Sequence, residues 1–579
     1  MTVGLVGSGP AAAAVEAALG DVDEPIARVD RSEIGPGTGL GVVVDRAGAA
    51  TFERASDRAR ETGTPWIAVE LGGIGGVPVV DASVAGFDPD GACYRCLGAR
   101  IESNVAAETE PTAAPGDATA RFAGAVAGRR AAQFLDPAES DPLGVLVELP
   151  HAEREFLPVP GCACGDGRDR VLDRGYLDRD VERSLSRAER GLDDRVGVVQ
   201  QVGEAESYPA PYYLARTGDT GVFSDVTASR QAAGVDPDWD AAFMKALGEA
   251  YERYCAGVYR AAEFKQASAA DLADAVPPSA FVRPDDWTGS GDARVDEGGD
   301  RAERPWVRGT DLVTERPVSL PAELVHYPPP EQTIRPSVTT GLGLGNSSVE
   351  AMLSGLYEVV ERDATTVAWY STYDPLGLEV ADDSYQRLAA RAGAEGLDAT
   401  ALLLTQDVDV PVVAVAVTRE EWPELALGTA AHLDAGRAAR NALAEAVQNW
   451  VELDGMGSAD ATEASGAIGR YADRPAVVDE FVTPDQRVPA DSVGPGSVPE
   501  GGDHLDAVLD RVVDAGLSVH GARTTTRDVQ RLGFRAVRVV VPGAQPLFFG
   551  DAYFGERART VPADMGFEAA LARDHHPYP

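Results

Sequence analysis

Lysine is the residue type that this sequence most conspicuously lacks. It occurs only at Lys245 and Lys265, and the 51 lysines and arginines together stand against 93 aspartates and glutamates, which gives a net charge of −42. A chain with so little positive charge repels polyanions. The composition therefore excludes a general nucleic-acid binder and a protein that binds anionic membrane surfaces.

The excess of acidic residues is spread over the whole chain rather than gathered in a tail. A hydrophobic content of 44% argues against intrinsic disorder. Repulsion between so many carboxylates is tolerated where concentrated cations screen it. We therefore expect a soluble, halophilic protein of haloarchaeal origin.

The N-terminus lacks the basic segment that precedes the apolar core of a secretory signal. It reads MTVGLVGSGPAAAAVEAALG, with Gly-Ser-Gly-Pro inside the apolar run. This pattern is typical neither of a signal peptide nor of a membrane span. We expect a cytoplasmic protein.

Cysteine is scarce, and its placement is informative. Five cysteines in 579 residues do not make a disulfide framework. Four of them lie in two short glycine-containing motifs, GACYRC and GCACG, as Cys93, Cys96, Cys162 and Cys164. Two such motifs can deliver four thiolates to a tetrahedral zinc ion, and the alternative is four unrelated buried thiols. Cys255 is predicted to be a helix-core residue.

The first residues predict a strand, a glycine-rich turn and a helix. VGLV is followed by GSGPAA and an alanine-rich run, and Asp30 follows the next strand-like segment, IARVD. This arrangement is typical of dinucleotide-binding folds, in which the acid binds a ribose. A working cofactor site and a structural remnant of such a fold are both compatible with the pattern.

The second half contains three short acidic stretches, Glu249–Arg253, Ser354–Arg362 and Glu445–Gln448. In KALGEAYERYCA and LSGLYEVVERDA the glutamates lie three residues apart within apolar-patterned runs, so a helix places both carboxylates on one face. Mg²⁺ prefers hard oxygen ligands, and arginines supply charge to phosphates. The pattern predicts a magnesium–nucleotide site, whereas a single ExxER would more simply be a solvated helix surface.

The order of these motifs resembles the nucleotide site of the YcaO family, over about residues 206 to 579. The family pattern is SxxExxER, then SxxxExxER, then ExxQ. The resemblance implies ATP and Mg²⁺ as cofactors, with the metal held by Glu249, Glu252, Glu358, Glu361 and Glu445. It implies that the nucleotide is bound by these glutamates together with Arg253, Ser354, Arg362 and Gln448.

Two departures from the family pattern concern the first motif. Ala246 stands where the family usually has serine. The family also has a Gly-Lys-Gly stretch upstream, where this chain reads SRQAAG, so Arg230 either does the work of that lysine or the function is missing.

The first half resembles the ThiF-like, ubiquitin-activating-enzyme-like family, because a glycine-rich mononucleotide fold precedes a tetracysteine zinc site. The resemblance implies a Rossmann-like, peptide-presenting domain with structural zinc, which we assign together with its connector to residues 1–205. Residues 166–205 are rich in Asp and Arg with helical spacing, so we predict a connector helix there. A YcaO-type catalytic domain follows at 206–579. Overall we predict α/β and α+β architecture.

The sequence closes with Asp-His-His-Pro-Tyr-Pro. Proline-rich ends are commonly frayed tails. The YcaO cyclodehydratases that modify peptides are similar to this chain in ending with a Pro-x-Pro element at the active site. That likeness implies a catalytic contribution from Pro577, Pro579 and His576.

Together the resemblances imply an ATP-dependent cyclodehydratase that converts Cys, Ser or Thr of a ribosomally made precursor peptide into azolines, as in bacteriocin biosynthesis. Thioamide formation and a non-catalytic, peptide-presenting role are the alternatives. We further expect a homodimer and, as a possible partner, a flavin dehydrogenase that would oxidise the azolines.

Overall fold

The computed structural model describes residues 2–20, 22, 24–30, 34–35, 37–105, 115–136, 138, 141–150, 152–165, 167–284, 299–463 and 468–578. Pro579, one of the predicted catalytic residues, lies outside the described residues.

The N-terminal half is built around one mixed sheet of order β2-β1-β3-β4-β5-β6-β7. The first four strands in that order are parallel, and the remaining pairings are antiparallel. The elements are β1 Val3–Val6, α1 Pro10–Ala18, β2 Ile26–Arg28, β3 Leu40–Arg46, α2 Ala50–Thr62, β4 Trp66–Leu71, β5 Ala82–Phe87, α3 Tyr94–Asn104, α4 Asp117–Leu135, β6 Val145–Glu148, β7 Ala152–Glu155 and α5 Val181–Ala188.

The predicted strand, turn and helix at the N-terminus are present as β1, the glycine turn and α1. Gly7 has φ of 114°, and a Cβ there would lie 2.5 Å from the carbonyl oxygen of Val44 on β3. Only glycine allows this close approach, so packing against β3 is sufficient to explain the glycine at position 7. Nucleotide binding at the turn and kinship with the ThiF-like family stay predictions.

The C-terminal half alternates strands and helices. Its elements are β8 Val199–Glu206, β9 Tyr212–Thr217, β10 Gln231–Val235, α6 Trp239–Gly257, β11 Lys265–Ala267, β12 Arg304–Asp311, β13 Pro317–Pro321, α7 Ala322–Val325, β14 Leu342–Gly345, α8 Ser348–Trp369, β15 Leu376–Glu379, α9 Asp383–Ala394, β16 Asp398–Leu403, β17 Val412–Thr418, β18 Leu425–Ala431, α10 Ala435–Met456, α11 Ser458–Glu463, α12 Ile468–Tyr471, α13 Ala476–Val482, β19 Arg487–Pro489, α14 Gly501–Asp514, β20 His520–Arg523, α15 Arg527–Leu532, β21 Arg535–Val540 and α16 Arg557–Met565.

These strands form three sheets that support the three motif helices. Their orders are β10-β9-β8, β11-β12-β20-β21-β14 with β13 beside β12, and β18-β17-β16-β15-β19. Helix α6 packs on β9, β10 and β14, α8 on β14 and β21, and α10 on β17 and β18. Helices α6 and α8 therefore share β14 and α10 lies on another sheet, and these contacts fix their relative placement.

The predicted connector helix is wrong over most of its length. Regular helix is limited to α5, which begins where the Asp180 side chain accepts a hydrogen bond from the Arg183 backbone N–H. Residues 167–180 instead have no regular secondary structure and are held by Arg523, which donates to the Asp169 carboxylate and to the Val171 carbonyl. Strand β8 spans the predicted boundary at 205/206 and pairs with β9.

A buried ion pair joins the two halves. Arg100 on α3 lies 2.7 Å from the Asp528 carboxylate on α15, and the side chains of both are at most 1% exposed. The Tyr254 hydroxyl on α6 donates to the same carboxylate at 2.6 Å. Because an unpaired charge at such a site is costly, this contact fixes how the halves meet.

Candidate functional site

The three acidic motifs lie on three helices, as their spacing predicts, and converge on one cavity of about 640 Å³. The predicted residues that line this nucleotide cavity are Glu249, Glu252, Ser354, Glu358, Glu361, Arg362, Glu445 and Gln448. Arg253 does not line it. A set of residues nearly 200 positions apart in sequence is thus brought to one place by the packing of α6, α8 and α10.

Helix α6 supplies Glu249 and Glu252. It begins with the Asp238 side chain capping the Ala241 N–H at 3.0 Å. One Glu249 oxygen accepts from the Ala233 backbone N–H of β10 at 2.7 Å, and the other forms an ion pair with Arg253. The role of Arg253 in the structure is therefore to hold Glu249.

Helix α8 supplies Glu358, Glu361 and Arg362. Glu358 accepts from the Gly341 backbone N–H at 2.9 Å, and Glu361 accepts from the Thr429 hydroxyl at 2.6 Å. The Arg362 guanidinium lies 3.6 Å from the Glu361 carboxylate. These contacts leave an arginine inside the acidic wall of the cavity, where phosphate oxygens would bind.

Helix α10 supplies Glu445 and Gln448. Glu445 accepts from the Thr429 backbone N–H on β18 at 2.6 Å and lies 4.0 Å from Arg362. The Gln448 side-chain amide donates to Glu452 at 3.0 Å. Thr429 thus positions one glutamate from α8 and one from α10, and the sequence motifs gave no signal for it.

The carboxylates of the cavity are crowded. Burial, together with the charges of Glu358 and Glu249, raises the pKa of Glu252 to about 8. Burial also raises the pKa values of Glu361 and Glu445, although Arg362 acts in the opposite direction. Buried acids that repel one another in this way are stabilised by a cation, so the residues fit Mg²⁺.

The described residues do not form a closed cage for the metal. No three of their glutamate or aspartate side chains offer oxygens within 4.8 Å of one another. This geometry agrees with the usual coordination of Mg²⁺, which is held by a few carboxylates together with phosphate oxygens and water.

The structure locates the two departures in the first motif. Ala246 is fully buried and does not line the cavity, and its backbone packs closely on β10, since a Cβ on Gly234 would lie 2.2 Å from the Ala246 nitrogen. Arg230 does not line it either, whereas Lys245 does and forms a 2.8 Å ion pair with Asp236. Sequence reasoning missed Lys245, although one of only two lysines standing one turn before Glu249 was a usable signal.

The C-terminal tail is packed rather than frayed. His576, Pro577 and Tyr578 are buried, and the Asp574 carbonyl accepts from the indole of Trp369 at 2.8 Å. The His576 Nε2 lies 2.6 Å from the Phe548 carbonyl oxygen, so Nε2 carries the proton and donates. The tail therefore lies against the end of α8, the helix that carries Glu361.

Burial keeps His576 neutral. It lowers the pKa of His576 to about 3, with contributions from the charges of His575 and Arg362. The second ring nitrogen, Nδ1, is buried without a hydrogen-bond partner among the described residues. So weak a base is better suited to accept a hydrogen bond than to carry protons at neutral pH.

The four predicted metal-binding cysteines form one cluster, with all four sulfurs within 4.8 Å of one another. The Sγ–Sγ distances are 3.7 Å for Cys93–Cys96, 3.6 Å for Cys93–Cys162 and 3.4 Å for Cys96–Cys164. Four thiolates bound tetrahedrally at about 2.3 Å from zinc lie roughly 3.8 Å apart, so the cluster fits that metal. Cys255 is buried elsewhere, as predicted.

An arginine of the catalytic half contacts the cysteine cluster. Arg527 Nη1 lies 3.5 Å from Cys164 Sγ. Hydrogen bonds from the other three thiols lower the pKa of Cys164, and Arg527 adds to that effect. The cluster is therefore part of the junction between the two halves.

Three helices that gather glutamates and an arginine in one cavity define a magnesium–nucleotide class of site. A family model described as YcaO cyclodehydratase, ATP- and Mg²⁺-binding, matches residues 233–545. This chain belongs to the YcaO family. A protein of Methanothermobacter thermautotrophicus, described only as uncharacterized, is 27% identical over 327 residues, which are 54% of this chain and 82% of that protein.

Two solved structures resemble nearly the whole chain. A heterocyclase in complex with substrate and cofactor has a TM-score of 0.74 and 20% identity, and the match covers 98% of this chain and 83% of that one. The heterocyclase TruD has a TM-score of 0.67 and 20% identity, with 98% and 82% covered. At this identity the likeness establishes a shared fold.

Among the helices of the described residues, none combines the length and the apolar character needed to cross a bilayer.

Proposed function

We propose that this protein is an ATP-dependent cyclodehydratase that forms thiazoline or oxazoline rings from Cys, Ser or Thr of a ribosomally synthesised peptide. The observation that carries the proposal is the convergence of the three acidic motifs on the nucleotide cavity. Membership of the YcaO family supports it.

The proposed reaction removes the elements of water from the peptide. The side-chain sulfur or oxygen loses its proton and adds to the preceding amide carbon. The resulting alkoxide oxygen attacks the terminal phosphorus of ATP, and ADP departs. The carbon–oxygen bond then breaks, phosphate leaves with the oxygen, and loss of the amide N–H proton yields the ring double bond. Phosphorylation is needed because an amide oxygen is a poor leaving group.

Within this scheme the glutamates of the cavity would hold Mg²⁺, which neutralises phosphate charge when bound. They are Glu249, Glu252, Glu358, Glu361 and Glu445. Arg362 would bind phosphate oxygens, and Ser354 and Gln448 would contact the nucleotide. Lys245 adds a cation at the same cavity, and Arg253 acts through Glu249.

We place the cyclisation site beside the docked tail. Pro577, Pro579 and His576 would shape the space in which the side chain meets the amide. The influence of Arg362 on the pKa of His576 supports their proximity. With its Nδ1 as an acceptor, His576 would orient a donor rather than carry a proton.

The N-terminal half would present the peptide as a ThiF-like domain, and the cysteine cluster would hold structural zinc. The close sulfur contacts support the metal. A precursor peptide is the expected partner, in the cytoplasm of a halophile. We also propose that the protein forms a homodimer and that a flavin dehydrogenase acts with it to oxidise the azolines.

Glu361→Gln tests the assignment. The change keeps the shape of the side chain but removes a charge that the cavity needs to bind metal. We expect phosphate release from Mg-ATP, measured with the peptide present, to fall by at least about a hundredfold. Burial already disfavours the charged form of the Glu361 carboxyl. The melting temperature of the variant should therefore be no lower than that of the wild type.

The matched control is Glu395→Gln, which changes an exposed glutamate beyond α9. Its phosphate release should equal that of the wild type. Full turnover in the folded Glu361→Gln protein would rule out the assignment of this cavity to ATP.

A further inference from the structure

A second cavity, of about 830 Å³, lies at the junction of the two halves. Its wall contains the cysteine loop Pro160–Gly165, the start of the connector, the residues Val258–Arg260 that follow α6, and residues of α15. We call it the junction cavity. Its size is within the range of cavities that bind drug-sized ligands.

Most carboxylates of the junction cavity are already paired. Asp169 forms an ion pair with Arg523, and Glu263 lies 3.4 Å from Arg170; neither arginine lines the cavity. Asp90 is exposed at the edge. Little negative charge from the protein's own acids therefore remains for the arginines of the wall.

Three of the five arginines in the wall have an anionic partner or several acceptors. Arg527 donates to Cys164 Sγ, and Arg260 pairs with Asp225 at 2.8 Å. Arg60 donates to the backbone carbonyls of Pro89, Gly91 and Cys164. These three guanidinium groups are therefore largely satisfied by the protein itself.

Arg168 and Arg531 are different. Among the described residues neither has a carboxylate within ion-pair distance. Arg531 donates only to the Asp90 carbonyl at 2.7 Å, and Arg168 only to the Val258 carbonyl. The Arg168 Nη1 is buried and has no hydrogen-bond partner in the described part of the chain. An unsatisfied buried guanidinium N–H is costly unless a ligand completes it.

The surroundings of Arg168 are also positive. Burial lowers the pKa of Arg170 to about 9, and the charge of Arg168 contributes to that shift. Both arginines help to lower the pKa of the neighbouring His326, where burial is again the main cause. An anion bound between Arg168 and Arg531 would relieve this repulsion.

We propose that the junction cavity is a binding site for an oxyanion, with Arg168 and Arg531 as its principal ligands. Guanidinium groups bind carboxylate and phosphate through paired N–H donors. The oxyanion is either free inorganic phosphate or a carboxylate carried on a peptide. On a chain of net charge −42, this site would attract an acidic segment that the rest of the surface repels.

Isothermal titration calorimetry of the full chain in constant potassium chloride tests the site. One arm uses inorganic phosphate. The other uses a blocked hexapeptide of alternating glycine and glutamate, with its glutamine counterpart as the neutral control. Binding of phosphate identifies a free ion as the ligand, whereas binding of the acidic peptide alone identifies a peptide carboxylate; either result supports the site if it depends on the two arginines.

Arg168→Gln and Arg531→Gln should each weaken binding at least about tenfold. Arg183→Gln, an exposed arginine of the same connector, should bind like the wild type, and so should Arg362→Gln, in which the nucleotide cavity is altered. Since Arg531 is exposed, its variant tests the site even if Arg168→Gln fails to fold. Binding by neither probe, wild-type affinity in Arg531→Gln, or loss in Arg362→Gln would overturn the proposal.

Discussion

At the residue scale, the glutamates of the nucleotide cavity have a structural role and a ligand-binding role. On each motif helix one glutamate accepts a hydrogen bond from a backbone N–H of a neighbouring strand or turn: Glu249 from Ala233, Glu358 from Gly341 and Glu445 from Thr429. These hydrogen bonds hold each helix against the neighbouring strand or turn. The same carboxylates also face the cavity, so the site is held in position before any ligand binds.

His576 gives a prediction about acid stability. Its pKa is about 3 in the folded protein, against about 6.5 in an unfolded chain. Below about pH 6.5 the unfolded state gains a proton that the folded state does not, so this histidine makes the free energy of unfolding fall as the pH drops toward 3. His576→Gln keeps a donor for the Phe548 carbonyl but removes the titration.

Urea unfolding at pH 7.5 and 5.5 measures this effect. The free energy of unfolding should fall by about 1 kcal/mol more in the wild type than in His576→Gln over that interval. Equal losses in the two proteins would mean that His576 is not buried as a neutral base.

At the element scale, the motif helices could be predicted but their surroundings could not. Apolar periodicity and glutamates three apart are local signals that located α6 and α8, and the third acidic stretch, Glu445–Gln448, located α10. The docked tail and the irregular connector depend on contacts with residues hundreds of positions away, such as that of Asp574 with Trp369. Helical spacing in the connector was outweighed by these tertiary contacts.

The cysteine cluster also contributes to the junction between the halves. Its Cys164 contacts Arg527, the neighbour of Asp528, which is bound by Arg100 and Tyr254. Tyr254 in turn lies on the same helix as Glu249 and Glu252. Metal at the cluster would therefore support the placement of α6.

Cys93→Ser should lose about one zinc per chain, measured by elemental analysis, because three thiolates bind the metal less tightly than four. Its melting temperature should fall as well. The control is Cys255→Ala, which alters a buried cysteine outside the cluster and should keep its zinc. Full metal content in Cys93→Ser would exclude the four-cysteine site.

At the scale of the whole molecule, the two cavities lie next to the same helix, α6. The nucleotide cavity is lined by Glu249 and Glu252 of α6, and the junction cavity by the residues that follow its C-terminus, Val258 to Arg260. Arg168 of the connector donates to Val258. An oxyanion held at the junction would thus act on the end of the helix that supplies two of the proposed magnesium ligands.

The net charge of the chain could be predicted from its composition, but the positions of the charged side chains in the folded protein could not. The sequence predicted a surface dominated by acids, and only the packing of α15 and the connector against the cysteine loop brings five arginines to one cavity. The residues of that cavity come from both halves, so no local pattern could have identified it.

Mass spectrometry of a small peptide encoded beside the gene of this protein, after incubation with the full chain, Mg-ATP and high potassium chloride, tests directly whether the protein is a cyclodehydratase. We expect a loss of about 18 Da per ring, with one phosphate released for each, and no change in mass with Glu361→Gln. An unchanged mass, or an oxygen-for-sulfur exchange that requires added sulfide, would contradict this expectation.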